Sequence, residues 1–457
     1  MNKEAEIKQT KGSSMFDFKS LVRLIIPLVI EQFLLMSVGM ADTIMVTSTG
    51  EAAVSGVSLV DNINLLLLQI FAALSTGGAV VVSQYLGRKE KDSAKKAAKQ
   101  LIYTVIAVST VIMAIALIFR QHILSIVFGH IEKDVMDSAL VYFLSTAAAY
   151  PFMAVYNAGA ALFRSVGNSK VSMLNSLIVN IVNITVNAVL IYGFDMGALG
   201  AGIGTLTSQI VAAVFILYLW QKKSNELRIE KLFKPEFNGG MVRRILSIGI
   251  PNGMENGMFQ VGKILVLSLI TTFGTNAVAA NAIGNSIASV INVPGQAIGL
   301  AMITVVGQCM GAGKIDEAVL NTKKLMKATY ISIGAMSILL FFIAAPLVSL
   351  FNLTPNSARM ATEILRWCSV FTALFWPLSF TLPNSLRASG DVIFTMVVSL
   401  SSMFICRIGL SYVFSQPWGL GMALLGVWFA MFADWIVRDI FFVARFISGK
   451  WKNKKVI

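Results

Sequence analysis

Four polar residues set in apolar surroundings raise the first chemical question: Asp42, Asn183, Asn187 and Thr205. Asp42 stands in LLMSVGMADTIMV, the asparagines in IVNITVNAVLIYG and Thr205 in GAGIGTLTSQ. Asn183 and Asn187 are four apart, so a helix presents both on one face. One carboxylate, two amides and a hydroxyl can form an oxygen-rich pocket for sodium. They can also form a hydrogen-bonded cradle that tunes a proton site. The structural alternative is interhelical hydrogen bonding that holds helices together.

Further ionisable residues sit in similar surroundings. A carboxylate at membrane depth costs about 2.5–3.5 kcal/mol on insertion-based scales, so each is a functional candidate by default. Glu31 and Glu255 are two, each able to face a central cavity, and burial of a glutamate favours its neutral form. Glu255 is taken as a second coupling or substrate-cation site. Glu31 and Asp42 share one helix face, about 16 Å apart along it. Asp61 either joins the Asp42 group or snorkels to an interface. Lys263, mid-segment, could ion-pair with one of these acids, and Arg407 is similar, but the sequence does not identify either partner. Asp434 and Arg438, four apart, read as a local pair. Tyr150, Phe375 and Trp376 are expected to line a cavity, where aromatic and Met surfaces suit varied apolar compounds.

The elements that must position these residues are membrane-spanning helices. The chain has 457 residues, of which 56% are hydrophobic and only 13% charged, with mean hydropathy +0.75. Apolar windows of about 20 residues predict spans near 20–45, 54–84, 98–119, 136–160, 170–193 and 198–220. A second set falls near 242–271, 277–309, 326–350, 360–384, 392–414 and 420–446. The polar stretch 221–241 is the natural connector.

The formal net charge of +14 could suggest a nucleic-acid partner, but its distribution argues otherwise. With the N-terminus inside, most Lys and Arg fall on the inner side, while Arg120, Lys133, Arg359 and Arg366 lie in or near outer loops. That is the positive-inside bias of a cytoplasmic-membrane protein with both termini cytoplasmic. The polar, lysine-rich first eighteen or so residues lead into no short apolar region with a cleavage site, so no cleaved leader is read. Cys309, Cys368 and Cys406 are scattered and read as small buried hydrophobes. His122 and His130 fall in one predicted loop without metal-ligand spacing, and no phosphate-binding loop of the Walker type occurs, so ATP is not the direct energy source.

The chain also resembles itself at an offset of 224 residues. Pro27 returns as Pro251 and Glu31 as Glu255; VVSQYLGRKEKDSA returns as VVGQCMGAGKIDEA. RSVGN from Arg164 returns as RASGD from Arg387 with a one-residue slip. The expectation is two homologous six-helix halves, 1–225 and 226–457. Six is even, so the repeat is parallel, related by a pseudo-two-fold along the membrane normal, with the substrate path at the interface between halves. Asp42 pairs with Val266 in this register, so its role is not one of shared scaffold.

In combination, the first-helix proline before ADTIMV, SQYLGRK, the paired RSVGN and RASGD, and NITVNAVLIYG before GAGIGTLTSQ resemble the multidrug and toxic compound extrusion (MATE) family, in NorM-like form. The resemblance implies an all-α polytopic protein of twelve transmembrane helices in two lobes. It implies export of small lipophilic, often cationic, compounds in exchange for protons or sodium, with no other cofactor, no enzymatic activity and no nucleic-acid partner. It places a cation site at Asp42, Asn183, Asn187 and Thr205, supports Glu255, and makes Pro27, with Pro251 as its repeat, a hinge in alternating access. Two positions depart from the pattern. Asn187 stands where many relatives have aspartate, and Trp376 where NorM-like members have a helix-ten aspartate. A monomer in contact with membrane lipid is expected, and the rival function is a flippase for a lipid-linked precursor.

Overall fold

The computed structural model describes residues 15–129, 131–222, 225, 227–229 and 236–457. The basic N-terminal arm, His130 and much of the connector lie outside the described residues. Fifteen α-helices are named here in chain order: α1 Phe18–Thr47, α2 Glu51–Gly87, α3 Lys91–Phe128, α4 Lys133–Ala148, α5 Tyr150–Ser165, α6 Ser169–Ala188, α7 Gly197–Gln221, α8 Gly239–Thr271, α9 Thr275–Gly311, α10 Ile315–Ser349, α11 Pro355–Leu374, α12 Pro383–Ser389, α13 Val392–Ser402, α14 Ser411–Ser415 and α15 Ala423–Ile447. No strand occurs among the described residues.

Eight of the rods are long and apolar enough to cross a membrane, or ten if two bent pairs each count as one span. The bends are 46° between α4 and α5 and 59° between α11 and α12. The two remaining long helices expected as spans, α8 and α15, carry too much charge within them. Glu255 and Lys263 lie in α8, and Asp434, Arg438 and Asp439 in α15. Several helices run past the apolar windows, because their polar ends continue helical hydrogen bonding beyond the apolar stretch. His122 is therefore inside α3 rather than in a loop.

Local chemistry accounts for the starts and turns. The Asp17 side chain accepts from the Ser20 amide at 2.8 Å, Asn238 from Met241 at 3.0 Å and Thr354 from Ser357 at 3.3 Å. Each satisfies an amide that the first helical turn leaves orphaned. Gly50 and Gly274, 224 residues apart, open α2 and α9 with φ of 108° and 91°, a conformation that a Cβ disfavours. Gly167 and Gly390 close the RSVGN and RASGD corners at 85° and 99°. The repeat seen in sequence is thus also a repeat of turns.

Pro27 and Pro251 lie within unbroken helices. Membrane helices tolerate proline where neighbours re-satisfy the backbone. Where the two halves meet, α2 packs along α8, α9 packs against α1, and α2 and α9 pack on each other. Leu21, Leu24 and Leu28 of α1 share one apolar cluster with Ala297–Val306 of α9. At the end bearing the basic SQYLGRK turn, α2 and α9 approach so closely that a Cβ on Gly87 would sit 2.0 Å from the Gln308 carbonyl oxygen. A Cβ on Gly311 would sit 1.9 Å from that of Gln84.

This contact predicts that Gly87→Ala lowers the thermal unfolding midpoint of the detergent-solubilised protein, because overpacking costs about 1–3 kcal/mol. Gly334→Ala, with nothing within 4 Å of the added carbon, leaves the midpoint unchanged or slightly higher. Tryptophan fluorescence during a thermal ramp reads both.

Candidate functional site

Near the end of α1 opposite the basic turns, Asp42 is 7% exposed. The Asn187 amide donates to its Oδ1 at 2.5 Å and also lies 3.3 Å from Asn183 Oδ1. Both asparagines are fully buried. α7 can reach them because Gly204 has no side chain: a Cβ there would lie 1.8 Å from Asn187 Oδ1. Thr205 follows, its hydroxyl buried with no hydrogen-bond partner, as is Asn187 Oδ1. The four residues predicted from sequence therefore converge.

Asp61 belongs with them rather than at an interface. Its Oδ1 accepts from Tyr142 at 3.0 Å and Asn64 at 3.3 Å, and Tyr142 lies among Asp61, Asp42 and Thr205. Tyr150 donates to Asn64 Oδ1 at 2.9 Å and is fully buried, so it supports this network instead of lining a cavity. Tyr142, Asn64 and Gly204 were not singled out in the sequence. Only the glycine spacing of GAGIG hinted at close packing. Among the described residues no group of three or more His, Cys, Asp or Glu could hold a metal ion. The Thr205 hydroxyl and Asn187 amide oxygens are buried and unpartnered.

Both glutamates are paired with arginines. Glu31, 2% exposed, takes the Arg164 guanidinium at 2.9 Å and the Ser172 hydroxyl at 2.6 Å. Glu255 takes Arg387 at 2.7 Å. Neither is a free cavity carboxyl, because the arginines of RSVGN and RASGD reach back to the first helix of their own half. The same corners bind the opposite half. Gln308 Nε2 donates to the Ser165 carbonyl at 2.7 Å, and Gln84 Nε2 to that of Ala388 at 2.9 Å. Thr304 adds a bond to the Arg164 carbonyl at 3.0 Å. Both glutamines sit at matching positions of the quoted repeat, the one signal that could have flagged them.

Lys263 has no acidic partner among the described residues and lies 5.5 Å from the Phe259 ring centroid. Arg407 does have one, Asp434 at 3.8 Å, which also accepts from Arg438 Nε at 3.1 Å, so the expected local pair forms. Trp376 is 5% exposed and stacks on Phe380 at 5.1 Å. Phe375 is half-buried, 5.8 Å from Phe371. Both pack into the core of the second half, not onto an open wall. Cys309, Cys368 and Cys406 are free and buried, as expected.

Long apolar helices, a repeated turn pattern, a buried acid group at one end and cross-half bonds at the other define a polytopic membrane transporter. A family model described as MatE matches residues 27–189 and again 251–413, in the register of the internal repeat. The protein belongs to the MATE family, whose members are cation-coupled exporters, and it is a transporter rather than an enzyme. It is 26% identical over 447 residues to a probable multidrug resistance protein NorM of Thermotoga maritima, covering 96% of this chain and 94% of that one. It is 24% identical over 385 residues to the multidrug export protein MepA of Staphylococcus aureus, covering 82% of each. A crystal structure of a MATE protein in a bent conformation matches with TM-score 0.88 at 20% identity, covering 96% of both chains. An outward-facing structure of a multidrug resistance MATE transporter matches with TM-score 0.86 at 20% identity, covering 96% and 97%.

The buried Glu255–Arg387 pair predicts strong non-additivity. Glu255→Gln or Arg387→Met alone destabilises by about 3–5 kcal/mol, since each strands a buried charge, and the double variant recovers much of the loss. Denaturant unfolding of the four proteins in detergent measures the cycle.

Proposed function

We propose that this transporter exports small lipophilic, often cationic, organic compounds from the cell in exchange for protons or sodium, coupled at the Asp42 group. The observation that carries this reading is the convergence of Asp42, Asn183, Asn187 and Thr205 with unpartnered buried oxygens. A cation or proton arriving there neutralises a charge that apolar surroundings penalise, and so favours one packing of the surrounding helices over another. A membrane potential of 100 mV adds about 2.3 kcal/mol per charge moved inward. The substrate class rests on the multidrug export of relatives such as MepA. No observation favours the flippase reading.

The chain is read as twelve spans in two lobes, 1–225 and 226–457, in the cell membrane with both termini cytoplasmic and lipid around a monomer. α8 and α15 complete the count, because Glu255 pairs with Arg387, and Asp434 with Arg438 and Arg407. On this reading the basic turns are cytoplasmic, and the Gln84 and Gln308 bonds close the pathway on that side. Pro27 and Pro251 act as hinges when it opens. Glu255, held by Arg387 through Oε1 with Oε2 unpartnered, is the second coupling or substrate-cation site on this reading.

Two experiments test this. In proteoliposomes under an imposed pH or sodium gradient, Asp42→Asn lowers dye efflux at least about tenfold, the loss of one charge-assisted contact. Wild-type efflux by that variant under both gradients overturns the coupling assignment. For the closure, Ser83→Cys is introduced into a chain whose three cysteines are replaced by alanine; Ser83 is fully buried against Gly307. Adding Gln84→Ala and Gln308→Ala removes two hydrogen bonds of about 0.5–1.5 kcal/mol each. Maleimide labelling at that cysteine then rises severalfold; an unchanged rate means the amides do not hold the two halves closed.

A further inference from the structure

The second half holds an excess of positive charge that neither the coupling site nor the closure uses. Three cations converge on one ring: Lys263 Nζ lies 5.5 Å, Arg407 Cζ 4.9 Å and Arg438 Cζ 5.1 Å from the Phe259 centroid. Arg438 also stands 5.4 Å from the Phe380 ring. Asp434 serves both arginines and accepts in addition from Ser402. Asp439, next to Arg438 in sequence, takes the Ser379 hydroxyl at 2.5 Å. Glu255, on the same helix as Lys263, is committed to Arg387. Even counting Asp439, three cations face two carboxylates.

Such an imbalance in the middle of apolar helices is costly and, like any intramembrane charge, marks a functional site. Cation–π contact with Phe259 offsets a fraction of that cost, about 0.5–2 kcal/mol per contact. Accessibility separates the members. Arg438 is 2% and Arg407 9% exposed, whereas Lys263 is exposed and has no carboxylate within ion-pairing distance among the described residues. The arginines are held by Asp434, and the lysine presents the uncompensated charge. Phe259 and Phe380, in edge contact at 6.2 Å, add an aromatic wall for the apolar part of a ligand.

We infer that Lys263, Arg407 and Phe259 form a binding site for the anionic group (carboxylate, sulfonate or phosphate) of an amphiphilic aromatic compound. The site deepens the exporter reading, on which it rests: it extends the substrate class from lipophilic cations to zwitterions and acids. A ligand anion restores charge balance beside Lys263, while its ring packs on Phe259 and Phe380. Asn187 and Asp42 serve the ion at the other half, so the two halves have opposite polarity.

The test uses two rhodamine dyes, rhodamine B with a free carboxylate and rhodamine 6G with an ethyl ester in its place, each compared between wild type and variant. Binding to the purified full chain in neutral detergent is followed by fluorescence polarisation. Lys263→Gln weakens rhodamine B about tenfold and leaves rhodamine 6G within about twofold, as expected for loss of one charge-assisted contact. Lys263→Arg keeps the preference. Equal losses for both dyes, or no loss for either, overturn the proposal. Lys263 has no carboxylate partner among the described residues, so its variants keep the test valid even where Arg407→Gln fails to fold. Adding phosphatidylglycerol distinguishes the sources of the anion: displacement of rhodamine B assigns the site to lipid headgroups, and its absence to small solutes. Because the readout is binding, it stands apart from efflux. A wild-type protein that binds the carboxylate dye but pumps neither dye refutes the exporter reading while leaving this site intact.

Discussion

A chain this apolar has little water inside it, so a buried charge is costly unless another side chain pairs with it. That constraint is most visible at the two arginine corners. Arg164 and Arg387 each end a helix at a glycine turn, and each sends its guanidinium to a glutamate on the first helix of its own half. The backbone carbonyls of the same corners are then capped from the other half by Gln308 and Gln84. One device thus ties first helix to corner and corner to opposite half, twice over. Buried ion pairs add little net stability against an apolar core, but removing one member is expensive. Their worth here is in fixing which helices meet.

Close approach is the second requirement of this arrangement. Without a hydrophobic drive between helices in lipid, packing relies on small residues that let backbones touch. Gly87 and Gly311 meet the Gln308 and Gln84 carbonyls, and Gly77 lies against the Ile245 carbonyl. At the far end Gly204 performs the same service for Asn187. The bonds that join the halves lie towards the basic turns, whereas Asp42 sits near the opposite end of α1.

The two halves share a scaffold but differ in polarity. Asp42, Asp61 and the asparagines enrich the first half in acceptors, while Lys263, Arg407 and Arg438 enrich the second in donors. The repeat relates Asp42 to Val266 and Asn183 to Arg407, so the difference arises at equivalent places on a common frame. Residues that recur serve the frame, as the glutamate, glutamine and arginine of each half do. Those that do not recur set the two halves apart in charge.

Helix class, the repeat, the family and the convergence of Asp42, Asn183, Asn187 and Thr205 were all legible in the sequence. Apolar length, a constant offset and helical spacing are properties of position along the chain. The fate of Glu31 and Glu255 was not, because the arginines that hold them stand more than a hundred residues away. Tyr150 and Trp376 looked like cavity walls, and only packing showed the first hydrogen-bonded to Asn64 and the second stacked on Phe380. That no acid pairs with Lys263 among the described residues was likewise invisible, since charge balance inside a membrane protein is settled by neighbours in space. Composition and periodicity dictate which segments are helices; which polar groups meet between them is decided by tertiary packing, where desolvation leaves no alternative partner.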